Sequence, residues 1–128
     1  MTRDERSDRW GRGLATYRRV YGDDAVTFEP GQAPFFDLMI EHLFAEVWER
    51  PALPLESRRL VVMGVLAAQH RFDTLGIQFD RALSTGELSA EQVREVVIHL
   101  IPYVGYPSCS DLFRVSEAAI AAHTGGSP

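Results

Sequence analysis

Hydrophobic residues recur every three to four positions along most of the chain, which is the spacing of amphipathic α-helices. This spacing predicts six helices, over residues 2–20, 34–48, 55–70, 72–85, 89–104 and 107–123. No segment alternates apolar and polar residues over a length that would make a strand. The pattern therefore predicts an all-α helical bundle.

Residues with known preferences for helix ends mark several of these boundaries. Pro51 follows an arginine and predicts the end of the second helix, and Gly86 suits the left-handed cap of the fourth. Ser89 followed three residues later by Gln92 is a capping-box signature, which predicts the start of the fifth helix. Pro102 removes a backbone donor within that helix and predicts a kink there.

The third helix is apolar on almost every side between residues 60 and 68. Such a helix lies either in the centre of a fold or in an interface between subunits, so we expect a homo-oligomer. We expect one domain over 1–128, with an N-terminal helix and loop over 1–33, a core over 34–123 and a frayed tail over 124–128.

Composition excludes several classes of function. The net charge of −5 repels nucleic acid and anionic membranes, and the highly charged first twelve residues do not form an apolar leader, so we expect a cytoplasmic protein. Every cationic side chain is an arginine, which excludes Schiff-base chemistry and pyridoxal phosphate attachment. Cys109 is the single cysteine, so an internal disulfide or CxxC pair is impossible.

Two polar residues interrupt the apolar faces of the fourth and fifth helices: Gln78 lies on the stripe of one, and His99 flanks the stripe of the other. A buried amide or imidazole needs a partner, which is either another protein group or a ligand in a cavity. Glu95 and His99 have the spacing of two metal ligands on one helix face, but further ligands are missing, so we expect no metal.

Short motifs occur in a characteristic order along residues 36–120. They are Glu46-Val47-Trp48-Glu49-Arg50-Pro51, Arg58 before its apolar helix, Arg81-Ala82-Leu83 with Gly86, and Glu95-Val96-Val97 followed by His99, Tyr103, Gly105 and Pro107. In this order the chain resembles the carboxymuconolactone decarboxylase family. The resemblance implies an alkyl hydroperoxidase D-like helical bundle, commonly a trimer or hexamer, here of bacterial aromatic or secondary metabolism.

Two chemistries are implied by that family. Its peroxide-reducing branch would have cysteines at Arg71 and Thr74 and a histidine at Gln78, and this chain has none of them. Its other branch decarboxylates an unsaturated lactone acid, and usually has glutamate at Thr74 and histidine at Gln78. The pattern favours cofactor-free decarboxylation, or related proton transfer, on a small unsaturated carboxylic acid or lactone.

Decarboxylation needs a dry pocket, polar groups for the developing enolate oxygen and a proton source. We predict His99 as the proton donor and Tyr103 as the hydrogen-bond donor to the enolate. The predicted substrate-binding residues are Gln78, Arg58, Arg59 and Thr74.

Structural roles are open for the same residues: His99 pairing with Glu95, Tyr103 in the core, and Arg58 or Arg59 at a helix start or interface. Two other functions are also open. One is a noncatalytic ligand-binding or assembly protein on the same fold. The other is a peroxiredoxin-like antioxidant that uses Cys109 alone or across chains.

Overall fold

The structure is a computed structural model in which residues 1–124 are described. These residues contain helices and connecting segments and no strand, which confirms the all-α prediction. The elements are α1 (Arg3–Tyr21), α2 (Pro34–Leu38), a π-helix (Met39–Val47), α3 (Leu55–Ala68), α4 (Phe72–Ser84), α5 (Ala90–Val104), a 3-10 helix (Tyr106–Ser108) and α6 (Cys109–His123). Within the described range no helix combines the length and apolar character needed to cross a bilayer.

The chain forms two compact units, Met1–Arg58 and a second that starts at Arg59. In the first unit, α1 packs on the π-helix through an aromatic cluster in which Tyr17 meets Phe36 and Phe44 edge to face. A Cβ atom at Gly13 would lie 2.0 Å from the carbonyl oxygen of Ile40, so only glycine permits this approach. The prediction of one domain stays a prediction.

The second predicted helix is two helices of different type. The α-helical turns end at Leu38, and the chain continues as a π-helix over Met39–Val47. The backbone N–H of Trp48 correspondingly donates to the carbonyl of Leu43, five residues earlier, at 2.9 Å. Apolar spacing of three to four residues suits both helix types, so the sequence pattern does not distinguish them.

The second unit holds its own core, to which α3, α4, α5 and α6 all contribute. Met63, Leu75, Phe79, Val93 and Leu112 are fully buried in it. Burial of side chains of this size contributes about 1.5–3 kcal/mol each, so this core is the main source of stability for the unit.

Most of the predicted boundaries in this unit are confirmed. Ser89 and Gln92 form the capping box of α5, and Gly105, with φ of 111°, ends that helix. Gly86 has φ of 78°, as its predicted left-handed position requires. The last helix differs from the prediction, because Tyr106–Ser108 forms a 3-10 helix and α6 starts only at Cys109. Apart from residue 124, the tail predicted over 124–128 lies outside the described residues.

Candidate functional site

Gln78 lies on the buried side of α4. Leu75, Phe79 and Ala82 occupy the same side of this helix, and the Gln78 side chain has no solvent exposure. The spacing that buries these apolar residues also takes the carboxamide into the interior. The Oε1 atom of Gln78 accepts a hydrogen bond of 2.7 Å from Nη1 of Arg59 on α3.

Arg59 is a buried arginine with 1% of its surface exposed. Its Nε donates to one carboxylate oxygen of Glu87 at 2.7 Å, and its Nη2 donates to the other at 3.2 Å. Glu87 lies in the link between α4 and α5, directly after the positive-φ residue Gly86. This two-point contact fixes the plane of the guanidinium, and the carboxylate compensates its charge in the interior.

These contacts set the orientation of the Gln78 amide. Because Arg59 can only donate, the atom of Gln78 that faces it is the carbonyl oxygen, and the NH2 group faces away. Nε2 of Gln78 is buried and has no hydrogen-bond partner in the described structure. A buried donor without a partner costs about 1–3 kcal/mol, so Nε2 of Gln78 is a group that an acceptor atom would satisfy.

The two predicted catalytic residues lie elsewhere in the second unit. His99 and Tyr103 follow each other by one turn on the exposed side of α5, and their ring centroids are 5.5 Å apart. Tyr103 is 81% exposed, so it is not a core residue of this chain. Within residues 1–124, no hydrogen bond or ion pair joins His99 to Glu95 or to Gln78.

The two adjacent arginines have different roles. Arg58 donates to the backbone carbonyl of Leu53 at 2.9 Å and to that of Arg50 at 3.0 Å, so it braces the corner that precedes α3. Of the two, only Arg59 contacts Gln78. Thr74 is half-buried on α4, and its backbone N–H is the main cause that lowers the pKa of the Asp73 carboxyl.

Sequence reasoning missed Glu87. A buried arginine requires a counter-ion, and an acidic residue just after the cap of α4 is one of few candidates near the start of the next helix. The sequence does not show that Arg59 is buried. The residues that follow it are apolar on nearly all sides of the helix, so their pattern does not indicate which side faces the core. The link between Glu87 and Arg59, 28 positions apart, therefore needs the folded structure.

A separate groove of about 350 Å³ lies between α5 and α6. Its lining is mainly apolar and includes Ile98, Cys109 and Phe113, and Arg94 and Glu117 also line it. Arg94 donates two hydrogen bonds of 2.9 Å to Glu117. These hydrogen bonds from Arg94 hold the pKa of Glu117 below its usual value.

Comparison with known proteins places this helical chain in a family. Residues 33–118 match the model of the carboxymuconolactone decarboxylase family, and the chain belongs to that family, as its sequence motifs predicted. It is 30% identical over 113 residues to the nitrosuccinic acid decarboxylase npaB of Metarhizium robertsii (strain ARSEF 23 / ATCC MYA-3075), which covers 84% of this chain and 78% of the relative.

A second relative is the 4-carboxymuconolactone decarboxylase of Acinetobacter baylyi (strain ATCC 33305 / BD413 / ADP1). It is 26% identical over 114 residues, or 85% of this chain and 84% of the relative. No solved structure gave a significant match.

Proposed function

We propose that this protein is a decarboxylase that acts on a small organic acid without a cofactor. Its family and two relatives named as decarboxylases support this reaction class. The substrates in those two names are an acid with a nitro group and a lactone with a carboxyl group. Both compounds contain an oxygen-bearing group that can receive electrons, and we propose a substrate of that kind here.

In this reaction the bond between the substrate carbon and its carboxylate breaks and carbon dioxide leaves. The bonding electrons move onto the oxygen of the neighbouring nitro or carbonyl group, which gives a nitronate or an enolate. A proton then adds to the carbon. Catalysis therefore depends on a hydrogen-bond donor where the oxygen becomes negative, and on a proton source.

The unpartnered Nε2 of Gln78 is the observation that carries this proposal. Arg59 orients this donor in a solvent-shielded position, where a hydrogen bond to a developing negative charge is stronger than in water. Arg59 strengthens it, because a cation bound to the amide oxygen polarises the N–H bonds. Since Gln78 is shielded from solvent, the substrate reaches it only when neighbouring side chains move.

We propose that His99 donates the proton and that Tyr103 donates a hydrogen bond to the substrate oxygen, in a site that a second copy of the chain covers. Both residues are exposed in the single chain, and His99 has no acidic partner within the described residues. Exposed apolar side chains are also present on α5, on the 3-10 helix and on α6, at Ile98, Tyr106 and Phe113 respectively. An apolar surface of this kind supports self-association, which would exclude water from the histidine.

The test is the release of carbon dioxide by purified protein from nitrosuccinate and from 4-carboxymuconolactone. We expect release from at least one acid above the rate in buffer, with no added metal or cofactor. A protein that releases none from either acid, or from related acids with a carbonyl next to the carboxyl-bearing carbon, contradicts the proposal. Thr74→Ala, at a predicted substrate-binding position, is expected to raise KM more than it lowers kcat.

The noncatalytic alternative predicts a pocket in which His99 is already paired with Glu95, and within residues 1–124 no hydrogen bond or ion pair joins these two residues. The observation favours the enzyme. For the antioxidant alternative, Cys109 is the single thiol and lies partly buried in the groove between α5 and α6. A peroxide assay of wild type against Cys109→Ser tests it, and we expect no difference.

A further inference from the structure

Glu87 is the third member of a chain of contacts that ends at the free donor of Gln78. Both of its carboxylate oxygens accept from Arg59, at 2.7 and 3.2 Å, and Arg59 in turn donates to Gln78 Oε1 at 2.7 Å. A primary amide is nearly symmetric in shape, so rotation by 180° would exchange its oxygen and its NH2 group. The position of the guanidinium therefore decides which group of Gln78 is left without a partner.

We propose that Glu87 is a positioning residue that makes the Gln78 site selective for ligands with an acceptor oxygen, such as a carboxylate, nitro or enolate group. By holding Arg59 at two points, Glu87 keeps the guanidinium against Oε1 and leaves Nε2 as the free group. The site then binds acceptors and rejects groups that can only donate. This inference rests on the proposed function and adds the chemical class that the site selects.

Three observations support the inference. The guanidinium is held in a bidentate contact, which fixes its plane more firmly than a single hydrogen bond would. Arg59 and Gln78 are almost completely buried, so water does not compete for these contacts. The free Nε2 lacks a partner in the described chain, so a ligand acceptor would satisfy a group that the fold leaves unpaired.

Binding selectivity tests the inference without any need for turnover. Isothermal titration gives the affinities for succinate and for 1,4-diaminobutane, which has the same four-carbon skeleton and ends in ammonium groups that can only donate. We expect wild-type protein to bind succinate more tightly by at least tenfold. Glu87→Gln loses the charge-assisted two-point contact with the guanidinium, so the orientation of the Gln78 amide is less firmly fixed and the preference falls at least tenfold.

Matched variants separate positioning from a general loss of structure. Glu91→Gln makes the same change at an exposed position in the first turn of α5, and is expected to keep the wild-type preference. If Glu87→Gln does not fold, the double variant Arg59→Met with Glu87→Leu replaces the ion pair by apolar groups of similar volume. Its Gln78 amide is free to rotate, so it also loses the preference.

A spectroscopic measurement reads the orientation directly. The side-chain NH2 signals of Gln78 in a ¹H–¹⁵N spectrum, assigned by their loss in Gln78→Glu, are expected to shift in Glu87→Gln and to stay in place in Glu91→Gln. The inference is overturned if wild type shows no preference for succinate, or if Glu87→Gln leaves both the preference and these signals unchanged. Failure of the proposed function is a different result, namely that wild type releases no carbon dioxide, and the binding and spectroscopic measurements do not depend on it.

Discussion

Nη1 of Arg59 donates a hydrogen bond of 2.7 Å to Oε1 of Gln78, and both side chains are shielded from solvent. This contact fixes the amide so that its NH2 group is the free end. The contact places the Arg59 cation beside an amide whose Nε2 is a free donor, and water does not weaken the electrostatic interactions of either group in this buried position. The pair is therefore suited to stabilise negative charge that develops on a substrate oxygen.

Removal of the Glu87 charge alone is expected to destabilise the protein. Glu87→Gln removes the carboxylate that contacts the buried guanidinium of Arg59 at two points, and loss of one partner from a buried ion pair typically costs about 3–5 kcal/mol. The double variant Arg59→Met with Glu87→Leu removes both charges but leaves Oε1 of Gln78 without its donor, so we expect its free energy of unfolding to lie between those of Glu87→Gln and wild type. Urea denaturation of the two variants and wild type measures this difference, and equal loss in both variants would contradict it.

The helices could be predicted from the sequence because their signals are local. The capping box at Ser89 and Gln92 and the left-handed glycine at Gly86 act on their immediate neighbours, and both were predicted correctly. The π-helix over Met39–Val47 was missed, because its hydrogen bonds differ from those of an α-helix while its apolar spacing is similar. Local rules therefore predict where helices lie better than which type they are.

The candidate site could be predicted only in part. Gln78 was recognised because an amide interrupts an apolar stripe, and it is indeed buried. Its link to Arg59 and from there to Glu87 depends on how three separate segments pack, which periodicity does not contain. The predicted site grouped Gln78 with His99, whereas in a single chain His99 lies on the exposed side of α5. Its role stays a prediction.

His99 is expected to act in proton transfer and not in stability. His99→Gln removes a titratable group from an exposed position, so we expect kcat to fall at least 100-fold while the free energy of unfolding stays within about 0.5 kcal/mol. His42→Gln is the matched control, because His42 is also exposed and helical. Steady-state kinetics and urea denaturation give both values. Equal kcat in the two variants would remove His99 from the mechanism.

The exposed apolar surface of α5 is expected to hold copies of the chain together. Ile98 is 59% exposed, and Ile98→Glu places a charge on that surface. We expect wild type to sediment as an oligomer and this variant to sediment as a smaller species with lower activity. Thr27→Glu adds the same charge at an exposed loop position and should sediment as wild type does. A wild-type monomer at micromolar concentration would contradict the prediction.

The ion pair of Arg94 and Glu117 is expected to make stability depend on acid pH. Hydrogen bonds from Arg94 lower the pKa of Glu117 below its usual value of 4.5. The pair therefore stabilises the fold fully above that value, and the contribution is lost as pH falls through the lower pKa of the folded state. The urea midpoint of Glu117→Gln should be below that of wild type at pH 7. The difference should shrink towards zero as the pH falls below 4.

The most direct test of the account is the rate of carbon dioxide release by Gln78→Glu. This variant keeps the size of the side chain and an oxygen for Arg59, but it replaces the free N–H donor by a carboxylate oxygen. We expect kcat to fall at least 100-fold relative to wild type, as for loss of one donor to a developing oxyanion. Gln69→Glu, an exposed glutamine after α3, should keep the wild-type rate. A Gln78→Glu protein that retains full activity would contradict the central claim that this amide stabilises the negative charge on the substrate oxygen by a hydrogen bond.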